Sequence, residues 1–229
     1  MLKAKLYGVG VGPGDPELLT LKAARLLKEA SVIAYPAPME GQGLARSIVG
    51  DLIPPGRTEI PLRMEMSLSR DSANAAYDAG AIEIARHLDE GRDVAVLCEG
   101  DPLLFGSFIY LLERLGENYS VQVVPGIASP MASAAASLMP LATQDEAVLL
   151  VPATRSEEEL ERLIVSCETI CLFKVGRHLE KIRRVLMKSN RLHKARYVER
   201  ASHAEEKVLT LDQAIEKGGI YFAMVLVGP

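Results

Sequence analysis

Short runs of apolar residues alternate along the chain with stretches in which apolar residues recur every three or four positions. The runs are rich in β-branched residues, which is typical of strands. They are KLYGVG, SVIAY, DVAVLCE, SVQVVPG, EAVLLVP, TICLFKV, ARYVER, KVLTL and YFAMVLV. Because strands alternate with helices, the pattern predicts an α/β protein with mainly parallel strand pairing, at least in the first half.

The longer periodicity predicts helices between these strands. The first follows the glycine-rich end of the first strand, and its start is predicted at Asp15-Pro16, because an acidic cap followed by proline is a common helix N-terminus. Its apolar face consists of Leu19, Ala23, Leu26, Leu27 and Ala30. Further helices are predicted over about residues 73–90, 107–115, 128–138, 156–167 and 178–190. Residues 53–70 have two adjacent prolines and little periodicity, which predicts a long functional loop.

The segment 139–146 (MPLATQDE) interrupts the alternation near the middle of the chain. We therefore predict two α/β lobes, an N-terminal domain over residues 1–143 and a C-terminal domain over residues 144–229. In this interpretation the binding cleft lies between the two lobes.

Composition limits the classes of function. The formal net charge of the 229 residues is -4 and the pI is about 5.7, which argues against a protein that mainly binds nucleic acid. Three cysteines in apolar surroundings do not form a disulfide framework and indicate a reducing, cytoplasmic location. The N-terminus runs directly into a strand pattern, and no apolar stretch approaches the roughly 20 residues of a membrane helix. We expect neither export nor a membrane span.

The glycine-rich stretch GVGVGPGDPELLTLKAARLL, residues 8–27, has the outline of a nucleotide-binding loop. A dinucleotide fingerprint needs three glycines in the pattern G-x-G-x-x-G. In the two possible frames the third glycine is replaced by Pro13 or by Asp15, and Asp15 would place a negative charge where a phosphate should bind. This failure disfavours an oxidoreductase or a nucleotide-binding regulatory module.

Four loops that follow predicted strands are unusual, and ligands of α/β sheets bind at the carboxyl ends of strands. They span residues 10–15, 98–106, 125–130 and 174–178. Taken singly, each is also explained as ordinary strand-to-helix turn chemistry. Together they form a pattern.

That pattern resembles the tetrapyrrole (corrin and porphyrin) methylase family. The resemblance rests on VGVGPGDPELLT at residues 9–20, GDP at 100–102 followed by FG at 105–106, VPGIAS at 124–129, MASAAA at 131–136 and the last strand at 221–227. It covers essentially the whole chain and implies S-adenosylmethionine as methyl donor, a tetrapyrrole substrate and a homodimer.

Within the family, the stretches SVIAYP (31–36), EGDPLLFGSFIYLL (99–112) and PLA (140–142) are most similar to methyltransferases that act on C-20 of precorrin-2 or cobalt-factor II in cobalamin synthesis. We favour the cobalt-containing acceptor. The alternative is a sibling enzyme that methylates another ring carbon or rRNA. Without tryptophan and with few aromatic residues, the chain offers no stacking platform for single-stranded RNA.

The resemblance also implies site residues. The positions that match family contacts to the cofactor are Pro13, Gly100, Asp101, Leu104, Ala128, Ser129, Val175, Ala201, Ala223 and Met224. Ala128 and Ser129 open a helix whose N-terminus suits the carboxylate of the amino-acid end, and Met224 is expected to pack against adenine.

A carboxylate near the reacting carbon would assist by taking the displaced proton. Asp101 is the first catalytic candidate, although aspartate before proline is also a common turn residue. Glu99 is the second candidate, and Tyr221 and His178 rank third.

The acidic side chains of a tetrapyrrole require cations near the cleft. Arg63, in the predicted long loop, and Arg177, after a strand, are the candidates. We expect no metal site, because Cys167 and Cys171 are spaced like one metal-binding pair without a second pair.

Overall fold

The computed structural model describes residues 4–64 and 70–229. These form two compact units, one that ends at Ala128 and one that begins at Ser129.

The first unit is built on a five-stranded sheet in which every pairing is parallel. Its strands are β1 (Lys5–Gly10), β2 (Val32–Pro38), β3 (Thr58–Met64), β4 (Val94–Cys98) and β5 (Ser120–Val124), in the order β3-β2-β4-β1-β5. Its helices are α1 (Leu21–Glu29), α2 (Leu44–Val49), α3 (Arg70–Asp89) and α4 (Phe108–Leu115).

Alternate residues of the central strands supply two hydrophobic cores, one on each face of this sheet. Val9 and Leu97 belong to one core, whereas Leu6 and Val96 belong to the other. All five residues of β4 are buried, as expected of a strand covered on both faces. The register pairs Gly10 with Cys98, so the carboxyl ends of β1 and β4 lie side by side.

The second unit has a mixed five-stranded sheet. Its strands are β6 (Val148–Pro152), β7 (Thr169–Phe173), β8 (Ala195–Glu199), β9 (Lys207–Leu209) and β10 (Ala223–Val227), in the order β6-β7-β10-β8-β9. Only β6 and β7 pair in parallel, and the other three pairings are antiparallel. Its helices are α5 (Ser129–Ser137), α6 (Glu157–Ile164), α7 (Leu179–Lys188) and α8 (Leu211–Lys217).

The predicted α/β class is confirmed, and each of the nine predicted strands is present. The prediction that residues 53–70 form a long loop is wrong for Thr58–Met64, which is strand β3. This strand lies at the edge of the sheet, where the missing N–H of Pro61 is tolerated, and only Ile60 and Leu62 are buried in it. Residues 65–69 of that stretch lie outside the described residues.

The predicted start of the first helix at Asp15-Pro16 is also wrong. Asp15 caps a short 3-10 helix, Pro16–Leu18, by accepting a hydrogen bond from the Glu17 N–H at 2.8 Å. Helix α1 begins at Leu21, because Thr20 Oγ1 accepts from the Ala23 N–H at 3.1 Å. The sequence therefore contains two successive capping signals, and the second one starts the α-helix.

The predicted domain boundary between residues 143 and 144 differs from the division between the two units. Helix α5 lies between the two positions and packs in the second unit, where Ala132 contacts Val198 and Ala201. The interruption at 139–146 follows this helix. In the part of the chain that the structure describes, no helix is both long and apolar enough to cross a membrane.

One buried histidine couples folding to pH. His87, in the last turn of α3, is buried, and neither ring nitrogen has a hydrogen-bond partner among the described residues. Burial, assisted by the charges of Arg92 and Arg86, lowers the pKa of His87. The folded chain therefore holds this imidazole in its neutral form.

We expect the free energy of unfolding to fall as pH drops below about 6.5, the usual pKa of histidine in an unfolded chain. Below about pH 6.5 the histidine of the unfolded chain takes up a proton, whereas His87 of the folded chain stays neutral. The contribution of neutral His87 to the free energy of unfolding is therefore complete above this pH and is lost on acidification. Urea unfolding between neutral and mildly acidic pH should show a shallower loss for His87→Leu than for the wild type. His193→Gln, at an exposed position, controls for removing a histidine, and equal slopes for wild type and His87→Leu would contradict this assignment.

Candidate active site

Two loops of the first unit are joined where β1 and β4 end. The Val11 N–H donates to the Cys98 carbonyl at 2.9 Å, and Gly12 and Gly100 exchange hydrogen bonds at 2.8 and 3.3 Å. Gly12 and Gly100 both have positive φ angles, +78° and +65°, which glycine adopts without strain. At this end of the sheet the two loops therefore meet through glycine backbone, without side chains between them.

A third loop, after β5, packs directly on the first two. A Cβ atom on Gly126 would lie 2.1 Å from the Gly100 carbonyl oxygen, and one on Gly10 would lie 2.5 Å from the Gly126 nitrogen. Backbone atoms cannot move aside as a flexible side chain can, so Gly10 and Gly126 are required for this approach. Gly10 of the motif GVG (8–10) and Gly126 of the motif PG (125–126) thus belong to one backbone junction, formed by Gly10, Gly100 and Gly126.

Asp101 ties two of these loops together. Its Oδ1 accepts a hydrogen bond from the Leu103 N–H at 2.9 Å, and its Oδ2 accepts one from the Gly126 N–H at 3.1 Å. Each carboxylate oxygen therefore has a backbone partner. This geometry favours the turn-residue alternative for Asp101, and its catalytic role stays a prediction.

The rest of the loop after β4 presents apolar side chains. Phe105 has a φ angle of +54°, a strained conformation for an aromatic residue, and its side chain is 46% exposed. The next residue must be glycine, because a Cβ on Gly106 would lie 2.4 Å from the Pro102 carbonyl oxygen. Leu103 is 50% exposed and Leu104 is half-buried.

Glu99, the residue before Gly100, has a different environment from that of Asp101. One carboxylate oxygen accepts a hydrogen bond from the Ala45 N–H at 3.2 Å, near the start of α2. The residue keeps solvent-exposed area, but the protein packed around its carboxyl group raises the pKa of Glu99.

A polar network that the sequence analysis missed lies at strands β2 and β3. Arg46 forms a two-pronged ion pair with Glu59, at 2.8 and 3.0 Å, and the Tyr35 hydroxyl donates to the same carboxylate at 2.8 Å. The Arg46 guanidinium lowers the pKa of Glu59. No sequence signal identified this network, because the three residues belong to separate elements and Thr58–Met64 was predicted as loop.

Arg63 lies on strand β3 and not in a long loop. Its Nη1 donates to the carbonyls of Pro38 and Gly41, at 2.8 and 2.6 Å, so it fixes the chain that follows β2. Its predicted role in binding substrate carboxylates is separate from these contacts and stays a prediction.

In the second unit, four of the five predicted cofactor positions are apolar and buried. Val175 and Ala223 belong to one core cluster, and Ala201 packs against Ala132 of α5 in another. Met224 is 4% exposed on β10, next to Val198 of β8. Ser129 is the first residue of α5 and is half-buried.

The remaining candidates of this unit lie near its surface. Arg177 is exposed, and His178 precedes α7, where burial and then the charges of Lys181 and Arg177 lower its pKa. Tyr221 is 63% exposed and meets Phe222 edge to face, with ring centroids 5.0 Å apart.

The described residues contain no group of three or more histidine, cysteine, aspartate or glutamate side chains that would hold a metal ion. All three cysteines are free thiols. Burial raises the pKa of Cys98 to about 12 and that of Cys171 to about 11, so both thiols are neutral and unreactive.

Comparison with known proteins gives a matching family and a relative of similar length. Residues 5–215 match the family described as tetrapyrrole (corrin/porphyrin) methylases. A precorrin-2 C(20)-methyltransferase of a Sinorhizobium species is 40% identical over 231 residues, which are 97% of this chain and 94% of the relative.

Solved structures share the fold. A cobalt precorrin-4 methyltransferase, CbiF, superimposes with a TM-score of 0.77 at 26% identity, covering 98% of this chain and 94% of the other. A uroporphyrin-III C-methyltransferase of Thermus thermophilus, in complex with S-adenosylhomocysteine, gives a TM-score of 0.72 at 27% identity, with 98% and 92% coverage.

The backbone junction makes Gly126 a sharp test of the loop geometry. Gly126→Ala places a methyl group 2.1 Å from the Gly100 oxygen, and we expect a loss of about 1–3 kcal/mol in the free energy of unfolding. Gly228→Ala is the matched control, since its Cβ would meet only the Met139 side chain at 3.4 Å or more. Chemical denaturation of both variants measures the difference, and equal stabilities would show that the junction is not tightly packed.

Asp101→Asn tests the carboxylate that spans the loops. The amide keeps one acceptor oxygen but turns an N–H₂ group toward the second backbone donor. We expect a loss of about 1–3 kcal/mol in the free energy of unfolding, the usual cost of a hydrogen bond left unmade. Wild-type stability in this variant would contradict the role of Asp101 as the link between the loops.

Proposed function

The chain belongs to the tetrapyrrole methylase family, and on that premise we propose that it transfers a methyl group from S-adenosylmethionine to C-20 of precorrin-2 or cobalt-factor II in cobalamin biosynthesis. The observation that carries the proposal is the 40% identity to a precorrin-2 C(20)-methyltransferase over nearly the full length of both chains. The family match alone leaves the ring position open.

The methyl donor is proposed from the relatives and tested against the residues present. A structural neighbour is known in complex with S-adenosylhomocysteine, the demethylated product of this donor. In the first unit, the N–H and carbonyl groups of Gly12 and Gly100 pair with each other at the strand ends, and neither residue has a Cβ atom that would obstruct a ligand. The donor can therefore approach the backbone closely at these two glycines.

We propose that residues of both units contact the donor. In the first unit they are Pro13, Gly100, Asp101, Leu104 and Ala128, and in the second they are Ser129, Val175, Ala201, Ala223 and Met224. Apart from Ser129, the second group is apolar, and Ser129 begins a helix whose N-terminus favours a carboxylate.

When bound, the donor supplies an electrophilic methyl group on a positively charged sulfur. The chain's task is to hold donor and acceptor in line and to exclude water, because orientation accounts for much of the barrier to such a displacement. The rigid junction of Gly10, Gly100 and Gly126 suits this task, since its backbone cannot shift without steric overlap.

Acceptor recognition requires cations for the carboxylates of the macrocycle. We propose Arg63 and Arg177 for this role. Arg177 is exposed and makes no ion pair among the described residues, so an acidic ligand can reach its guanidinium group. We expected the cobalt-containing acceptor, whereas the 40% identical relative is named for precorrin-2 without cobalt. Both acceptors therefore belong in the assay.

The assembly and location of the protein are proposed from resemblance. We propose a homodimer, which sedimentation should show as twice the chain mass of 24.8 kDa. A cytoplasmic location is consistent with three cysteines that remain free thiols.

The activity is tested by incubating the chain anaerobically with precorrin-2 or cobalt-factor II and donor labelled with ¹³C in its methyl group. We expect mass spectrometry to show a single added methyl group on one acceptor, and carbon NMR to place the label at C-20. Transfer to another ring carbon would identify a sibling reaction. Binding of S-adenosylhomocysteine without transfer to either acceptor would contradict the proposed substrate.

A further inference from the structure

The loop after β4 carries two carboxylates, and only one of them is fully bonded to the protein. Both oxygens of Asp101 accept backbone hydrogen bonds, from Leu103 and Gly126. Glu99 accepts one, from Ala45, through Oε1. Its Oε2 has no hydrogen-bond partner among the side chains and backbone that the structure describes in residues 4–64 and 73–229, and the residue is exposed to solvent. Glu99 can therefore accept a proton without breaking a loop contact.

The charges around Glu99 do not stabilise its ionised form. Among the described residues, the Cys98 thiol and the Tyr77 phenol are the titratable groups on which the charge of Glu99 acts. Burial raises the pKa of Cys98 and of Tyr77, so both are neutral, and the charge of Glu99 adds to both shifts. Desolvation is the main cause of the raised pKa of Glu99, and the hydrogen bond from the Ala45 N–H lowers this pKa in part. A carboxylate of raised pKa is a stronger base.

The carboxylate of Glu59, on β3, is unsuited to the same role. Glu59 is held by Arg46 and by Tyr35, and this pairing lowers its pKa. Protonation of Glu59 would break an ion pair. Among Glu59, Glu99 and Asp101, only Glu99 keeps an oxygen without a protein partner.

The proposed reaction leaves one proton to be removed. As the methyl–sulfur bond breaks, its carbon forms a bond to C-20, which becomes tetrahedral, carries both methyl and hydrogen, and leaves a positive charge on the macrocycle. The C-20 hydrogen then departs as a proton, and its bonding pair returns to the ring and restores conjugation. The products are the methylated tetrapyrrole, S-adenosylhomocysteine and one protonated base.

We propose that Glu99 is the catalytic base that takes this proton from C-20, while Asp101 acts as the structural link beside it. The assignment rests on the proposed function, because it requires a substrate with a hydrogen on the carbon that is methylated. Since Glu99 is exposed, the proton passes from its carboxyl group to solvent after product release.

The test compares Glu99→Gln and Glu99→Asp with the wild type. Glutamine keeps the oxygen that accepts the Ala45 N–H but cannot take a proton at neutral pH. We expect Glu99→Gln to bind S-adenosylhomocysteine with wild-type affinity in calorimetry and to lose about 100- to 10,000-fold in kcat. Acceptor deuterated at C-20 should then react more slowly with this variant, since proton removal becomes rate-limiting. Glu99→Asp, which keeps a carboxylate, should recover part of the rate.

A readout without turnover follows the carboxyl group itself. In protein labelled with ¹³C at the glutamate carboxyl carbons, the NMR signal that is missing from Glu99→Gln should titrate above the usual glutamate pKa of about 4.3. A signal that titrates at or below this value would contradict the proposal.

The outcomes separate the two proposals. If the wild type methylates C-20 and Glu99→Gln does so equally fast, without an isotope effect, Glu99 is not the base and the proposed function stands. If Glu99→Gln loses S-adenosylhomocysteine binding, the residue is structural and the inference is wrong. If the wild type binds S-adenosylhomocysteine but methylates neither acceptor, the proposed function fails and the role of Glu99 fails with it.

Discussion

The first unit depends on one constraint, the close packing of three backbone loops where β1, β4 and β5 end. Gly10, Gly100 and Gly126 approach each other so closely that a single methyl group on Gly126 would overlap a carbonyl oxygen at 2.1 Å. Asp101 closes the junction by accepting the Gly126 N–H. The parallel register, which aligns Gly10 with Cys98 and Val9 with Val124, brings these loops to the same edge of the sheet. A site built from backbone in this way is rigid and leaves little room for sequence variation.

Because of this constraint, the residues of the loop after β4 have different roles. Residues 99–106 contain a carboxylate that serves the fold, glycines that admit close contacts, and exposed apolar side chains at Leu103 and Phe105. Glu99 differs from Asp101, because its carboxylate accepts a single hydrogen bond and its pKa is raised. The loop therefore combines a fixed scaffold with one carboxylate that is available for proton transfer.

The sequence predicted the strands well because most of them are short, rich in β-branched residues and bounded by turn residues. It misplaced features whose signals are weak or duplicated. Thr58–Met64 is an edge strand with a central proline, so its pattern resembled a loop. Asp15 and Thr20 are both good caps, and sequence alone did not show which one starts α1. The family motifs located the loops of the candidate site, but they ranked Asp101 above Glu99. Reversing that order required the hydrogen-bond partners of both carboxylates, which depend on how Gly126 and Ala45 pack against the loop.

The most direct test of Glu99 as the base is a crystal structure of the protein with S-adenosylhomocysteine and a reduced tetrapyrrole acceptor. The quantity of interest is the distance from the Glu99 carboxylate to the meso carbon C-20. We expect the adenosyl ligand to contact the Gly100 loop and C-20 to lie within about 3–3.5 Å of Glu99, the separation of groups ready to react. A macrocycle that turns C-20 away from Glu99, or an adenosyl ligand bound away from this loop, would contradict the account.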